Sequence, residues 1–195
     1  MGRLAKNALD ADGNALGRFD LPTEIQWEIA ARAAETNQFG AYLDEEGRVV
    51  RLALADLAKS PHAVLNCNQA NWGQPSPAGF RRPNPWLLYD MIGNDLEICA
   101  DRYDNIDPYN QLYAKDAETA WTDGTTDRIV VRGSYATDGA YNNASAPTAT
   151  PSFRSTWACG STTIGNQLGF RPALTEAEVR YAAGVNARVA AGDGG

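Results

Sequence analysis

The chain has 195 residues, 44% of them hydrophobic, and a formal charge of -7 at pH 7. That length buries one core comfortably and is short for two. The negative charge, with no Lys/Arg cluster to offset it, argues against nucleic acid and anionic membrane surfaces as partners, and no apolar run approaches the roughly 20 residues that membrane insertion needs.

Met1 to Lys6 lacks the apolar stretch of a secretory signal, so the chain is expected to be cytoplasmic as synthesised, or associated with a particle or cell surface. Thr23 with Gln26 forms a capping box, and Trp27, Ala30, Ala31 and Ala34 recur at helical spacing, which predicts a helix from Thr23 to about Asn37. Pro22 fixes the approach to it, with Phe19 and Leu21 placed to staple its first turn. A shorter helix is predicted over Leu52 to Lys59, and the Asn-, Gly- and Pro-rich stretch from Asn66 to Pro85 reads as a structured loop. Leu87 to Tyr103, interrupted by Gly93 and Asn94, reads as short strands about a turn.

Ile129, Val130 and Val131 mark a buried strand within Asp127 to Tyr135. From Ala136 to Gln167 the chain is small and polar, with Tyr141, Phe153 and Trp157 interspersed, before Leu168 to Pro172 re-anchors it to a core. Thr175 with Glu178 opens a further predicted helix, lined by Val179, Ala182, Ala183 and Val189, that ends in a glycine-rich tail. No internal repeat is present. The expected organisation is one domain over residues 1–174 followed by a helix and tail over 175–195.

Cys67, Cys99 and Cys159 form no CxxC pattern and read as buried free thiols. His62 is the sole histidine, which allows one imidazole base at most and excludes a multi-histidine zinc site. In its loop it reads as ordinary surface.

Four segments carry a resemblance: Phe19 to Glu28, Asn84 to Cys99, Val131-Arg132-Gly133-Ser134-Tyr135, and Leu168-Gly169-Phe170-Arg171. In this order and spacing they resemble the signature stations of the formylglycine-generating-enzyme (sulfatase-modifying factor) family, over about Gly17 to Leu174. The resemblance implies an α+β, C-type-lectin-like fold: a small twisted antiparallel sheet, two flanking helices and much irregular structure. The family's opening strands are expected to be missing here, leaving Met1 to Leu16 as a shortened start or a segment that needs a partner. Arg132 and Arg171 are expected to make structural ion pairs or carbonyl contacts, and Trp27, Trp86 and Phe170 to be core.

The family's copper-dependent oxidation needs two thiolates just after the Arg-Gly-Gly-Ser-Tyr station, because soft Cu(I) selects sulfur. Here Ala136 to Asn142 contains no cysteine, so copper is not expected. A related branch that uses iron needs several imidazoles, which His62 alone does not supply. Calcium is the ion the resemblance implies, with side-chain oxygens from Asp90 and Glu97 and carbonyls from Gly93 and Asp95. Asn71 and Trp72 match part of a second calcium station whose carboxylate is not recognisable.

The closure Gly169-Phe170-Arg171-Pro172-Ala173-Leu174 also resembles that of variable proteins of diversity-generating retroelements, which keep a lectin-like frame and vary exposed positions. On that reading residues 136–167 form a binding surface, and Tyr141, Asn142, Asn143, Thr148, Phe153, Trp157, Ser161, Thr163 and Asn166 are the candidate ligand contacts. The function expected is then non-catalytic binding of a protein or glycan ligand. The alternatives are a sulfatase-modifying-type oxidoreductase, and a structural subunit of a phage or cell-surface assembly with homo-oligomeric or assembly partners.

Overall fold

In the computed structural model, residues 7–9, 15–51, 76–103, 120–122, 126–134, 150–159 and 168–174 are described. The chain divides into two compact units, Met1–Pro22 with Arg171–Gly195, and Thr23–Phe170. In the first unit, β1 (Asn7–Leu9), β2 (Ala15–Asp20) and β9 (Ala173–Leu174) form an antiparallel sheet in the order β1-β2-β9. β1 lies within Met1 to Leu16, the stretch expected to be a shortened start, and pairs with β2.

The second unit begins with α1 (Glu24–Arg32), capped by Thr23. The Thr23 hydroxyl accepts from Gln26 N at 3.1 Å, and Gln26 Oε1 accepts from Thr23 N at 2.9 Å, so two otherwise orphaned donors are satisfied reciprocally. The helix ends at Arg32 and not near Asn37, because Ala33 and Ala34 both turn left-handed. Its buried stripe is therefore Trp27 and Ala31, and Ala34 is exposed.

β3 (Ala41–Leu43) and β4 (Val49–Arg51) make a hairpin. β5 (Leu96–Arg102), β6 (Arg128–Arg132), β7 (Arg154–Ala158) and β8 (Leu168–Phe170) form a four-stranded sheet in the order β7-β6-β5-β8. It is antiparallel except for β5 and β8, which run parallel. β5 carries an irregularity between Ile98 and Arg102.

Strand alternation explains why Ile129-Val130-Val131 is apolar throughout. Val130 joins Trp27, Ala31, Met91 and Cys99 in one core cluster, while Ile129 and Val131 join Leu96 in another. β6 is thus buried on both faces. β7 arises inside the stretch read from composition as a polar surface segment; its ladder with β6 runs from Arg128↔Ala158 to Arg132↔Arg154, which composition does not reveal.

The predicted helices over Leu52 to Lys59 and after Thr175 lie outside the described residues, as do His62, Cys67, Asn71 and Trp72. From Ser76 to Pro85 the chain makes turns, as a structured loop should. Among the described residues, no helix is long and apolar enough to cross a membrane.

Candidate functional site

The segment Asn84 to Glu97 is built from side chains that replace regular ladders. Asn84 is buried; its Nδ2 donates to Ala30 O near the end of α1 at 2.7 Å, and its Oδ1 accepts from Trp86 N and Leu88 N, each at 3.0 Å. Asn94 Oδ1 accepts from Ser76 N at 2.7 Å, and Asp90 Oδ2 accepts from Gly79 N at 2.7 Å. Asp90, Gly93 and Asn94 all have positive φ, which coils the backbone tightly ahead of β5.

Two glycines close this loop from outside. A Cβ on Gly133, where φ is +73°, would meet the Trp27 ring at 3.4 Å, Asp95 O at 3.6 Å and Met91 O at 3.7 Å. A Cβ on Gly169 would meet Asp95 Cβ at 3.5 Å. Gly133 and Gly169 therefore meet on the same turn.

Of the four residues expected to ligate calcium, Asp90, Gly93 and Asp95 lie in this turn, and Glu97 follows in β5. Asp90 Oδ1 and Asp95 Oδ1 are buried with no hydrogen-bond partner among the described residues. Burial raises the Asp95 carboxyl above its ordinary range, and the negative charges of Glu97 and Asp90 raise it further. An acidic, partly desolvated turn with orphaned carboxylate oxygens fits a hard divalent cation. No group of three or more His, Cys, Asp or Glu among the described residues is disposed to hold a metal, so a cation here would depend on backbone carbonyls alongside the carboxylates.

The candidate ligand contacts divide differently. Tyr141, Asn142, Asn143, Thr148, Ser161, Thr163 and Asn166 lie outside the described residues. Phe153 and Trp157 are partly buried against the cluster of Leu96, Ile129 and Val131, with Trp157 opposite Ile129 across the ladder. Between them Arg154 reaches back to α1: its Nε and one terminal nitrogen donate to the two oxygens of the fully buried Glu24, at 2.6 and 3.0 Å. The same guanidinium stands 4.9 Å from the centre of the Tyr103 ring.

Arg132 is buried and makes the ion pair and carbonyl contacts expected of it, paired with Glu28 and donating to the carbonyls of Ser152 and Phe153 at 3.2 and 3.1 Å. Two other expectations are corrected. Trp86 is 50% exposed, because Asn84 occupies the buried position in that turn, and Phe170 is 58% exposed at the end of β8. Cys99 is buried, and burial pushes its thiol well above the ordinary value, which holds it protonated.

A family model described as "Sulfatase-modifying factor enzyme 1-like domain" matches residues 9–184. The chain belongs to this family. Its α+β, C-type-lectin-like fold is shared with solved structures of PvdO from Pseudomonas aeruginosa and of Treponema denticola variable protein 1. PvdO is 24% identical with a TM-score of 0.61, over 82% of this chain and 53% of that one. The variable protein is also 24% identical, with a TM-score of 0.56, over 81% of this chain and 48% of that one. The chain thus spans about half the length of these structures. No curated protein matches it significantly.

Three residues of this sulfatase-modifying-factor-like domain escaped the sequence reading. They are Glu24, Asp101 and Arg154; Asp101 is buried, accepting from Glu24 N at 2.7 Å and Trp121 N at 2.9 Å. The one signal available was the strand pattern around Asp101, where a carboxylate falls among Ile98, Cys99 and Ala100.

Proposed function

We propose that this domain is a non-catalytic ligand-binding protein that presents residues 136–167 on a sulfatase-modifying-factor scaffold to a protein or glycan. The observation that carries the reading is the anchoring of this stretch at its middle. Phe153 and Trp157 pack on the core and Arg154 is clamped by Glu24, so β7 is held as part of the frame, and recognition segments are commonly carried on stable frames. Likeness of fold to a protein named as a variable protein supports the same reading. The oxidoreductase reading is disfavoured by Cys99, whose thiol is buried and held protonated, and by the lack of any cysteine in Ala136 to Asn142.

The accompanying cofactor reading is calcium at Asp90, Gly93, Asp95 and Glu97, supported by the orphaned carboxylate oxygens in the turn. Its contribution would be structural: hard-oxygen coordination neutralises the converging carboxylates and fixes the turn against Gly133 and Gly169. Association with a particle or cell surface accords with a binding role.

The test is to sequence this gene across its source population. Substitutions concentrated in 136–167, sparing Phe153, Arg154 and Trp157 as well as Leu21 to Glu28, are expected. Substitutions spread evenly along the chain would sink the diversified-surface reading and favour a fixed ligand or an assembly subunit.

A further inference from the structure

We infer that Trp27 is a positioning residue for the cation turn: its indole N–H, beyond the packing of its ring, sets how well Glu97 holds calcium. This rests on the calcium reading of the turn. Trp27 is buried in α1, and its Nε1 donates to Glu97 Oε2 at 2.6 Å across 70 residues of sequence. Glu97 is buried too, in β5, and a carboxylate out of water needs donors aimed at it. The hydrogen bond fixes the rotamer of the carboxylate and the direction of both its oxygens.

The indole meets the turn a second time. The ring lies where a Gly133 Cβ would touch it at 3.4 Å, and Gly133 backs onto the carbonyls of Met91 and Asp95. The Arg132 guanidinium stands 5.5 Å from the ring centre and is itself held by Glu28. One side chain of α1 thereby sets the Glu97 carboxylate that follows the turn and lines the glycine against which the turn's carbonyls rest. A hydrogen bond to a metal-ligating group commonly changes metal affinity by roughly ten- to a hundred-fold when lost.

Trp27→Phe keeps most of the ring packing and removes the donor. Val130→Ala thins the same core cluster while keeping both the indole donor and Glu97, and serves as the structural control. Calorimetric titration of the whole chain with calcium chloride should show Trp27→Phe binding roughly ten-fold or more weakly, with Val130→Ala close to the unsubstituted protein. In case Trp27→Phe does not fold, the backbone-assigned indole N–H resonance of Trp27 in the unsubstituted protein is followed, and it should move as calcium is added. Calcium binding by Trp27→Phe equal to the unsubstituted protein, or an indole resonance unmoved at saturation, would overturn the positioning role alone. No calcium binding by the unsubstituted protein would overturn the calcium reading and this inference with it.

Discussion

Arg132 and Arg154 face each other across β6 and β7, two like charges in register, and each is neutralised by a different carboxylate one turn apart on α1. Glu28 takes Arg132 and Glu24 takes Arg154, so the helix is fastened to the sheet by two ion pairs. The side chains of Arg132 and Glu24 are wholly inaccessible, and that of Arg154 nearly so. Removing one partner from such a pair strands a buried charge.

Glu24→Ala and Arg154→Ala should each therefore lower stability by about 3–5 kcal/mol, while the two substitutions combined should cost less than the sum of the two single losses. Urea denaturation of the singles and the double measures this. Additive losses would mean that the two side chains do not act as a pair.

Leu87 adopts φ +61° while 65% exposed, so it bears the cost of a left-handed backbone with little burial to offset it. Leu87→Gly should raise stability by about 0.5–1 kcal/mol, the relieved strain being reduced by the greater freedom of unfolded glycine. Thermal unfolding reads the sign directly. A lower melting temperature would show that Leu87 contributes packing that its exposure conceals.

Asp44 closes the β3–β4 turn. The backbone N–H of Arg48 holds its carboxyl below the ordinary value, with the Arg48 guanidinium and the Glu46 N–H adding to this against some desolvation. A folded-state value below the unfolded one means that the contribution is present above the unfolded carboxylate value, about 3.9, and is lost as pH falls through the depressed folded value. Asp44→Asn should be less stable than the unsubstituted protein at pH 7, with the gap closing as pH drops below about 4. Parallel denaturation series at pH 7 and pH 3 check it, and a gap of constant size would assign the effect to something other than charge.

Asp95 has the opposite balance, since burial and the charges of Glu97 and Asp90 penalise its ionised form. In chelator at neutral pH, Asp95→Asn should be more stable than the unsubstituted protein, and saturating calcium should reverse the order. Melting curves of both proteins, with and without calcium, decide this. The same order in both conditions would remove the Asp95 side chain from any cation-dependent role, leaving only its carbonyl.

What the sequence determined on its own was local or periodic. The Thr23–Gln26 capping box depends on residues three apart, and the apolar run Ile129-Val130-Val131 leaves little choice but a strand buried on both faces. The four spaced segments carried the family and its fold through their order and spacing, which the sequence displays without showing what their residues touch. Only tertiary structure decided that Trp27 donates to Glu97 across 70 residues, that Arg154 meets Glu24 across 130, and that Trp86 and Phe170 face outward. Those outcomes depend on which distant elements chain closure brings together. A buried carboxylate and an exposed tryptophan look ordinary in sequence until the partner that covers one, or the turn that displaces the other, is in place.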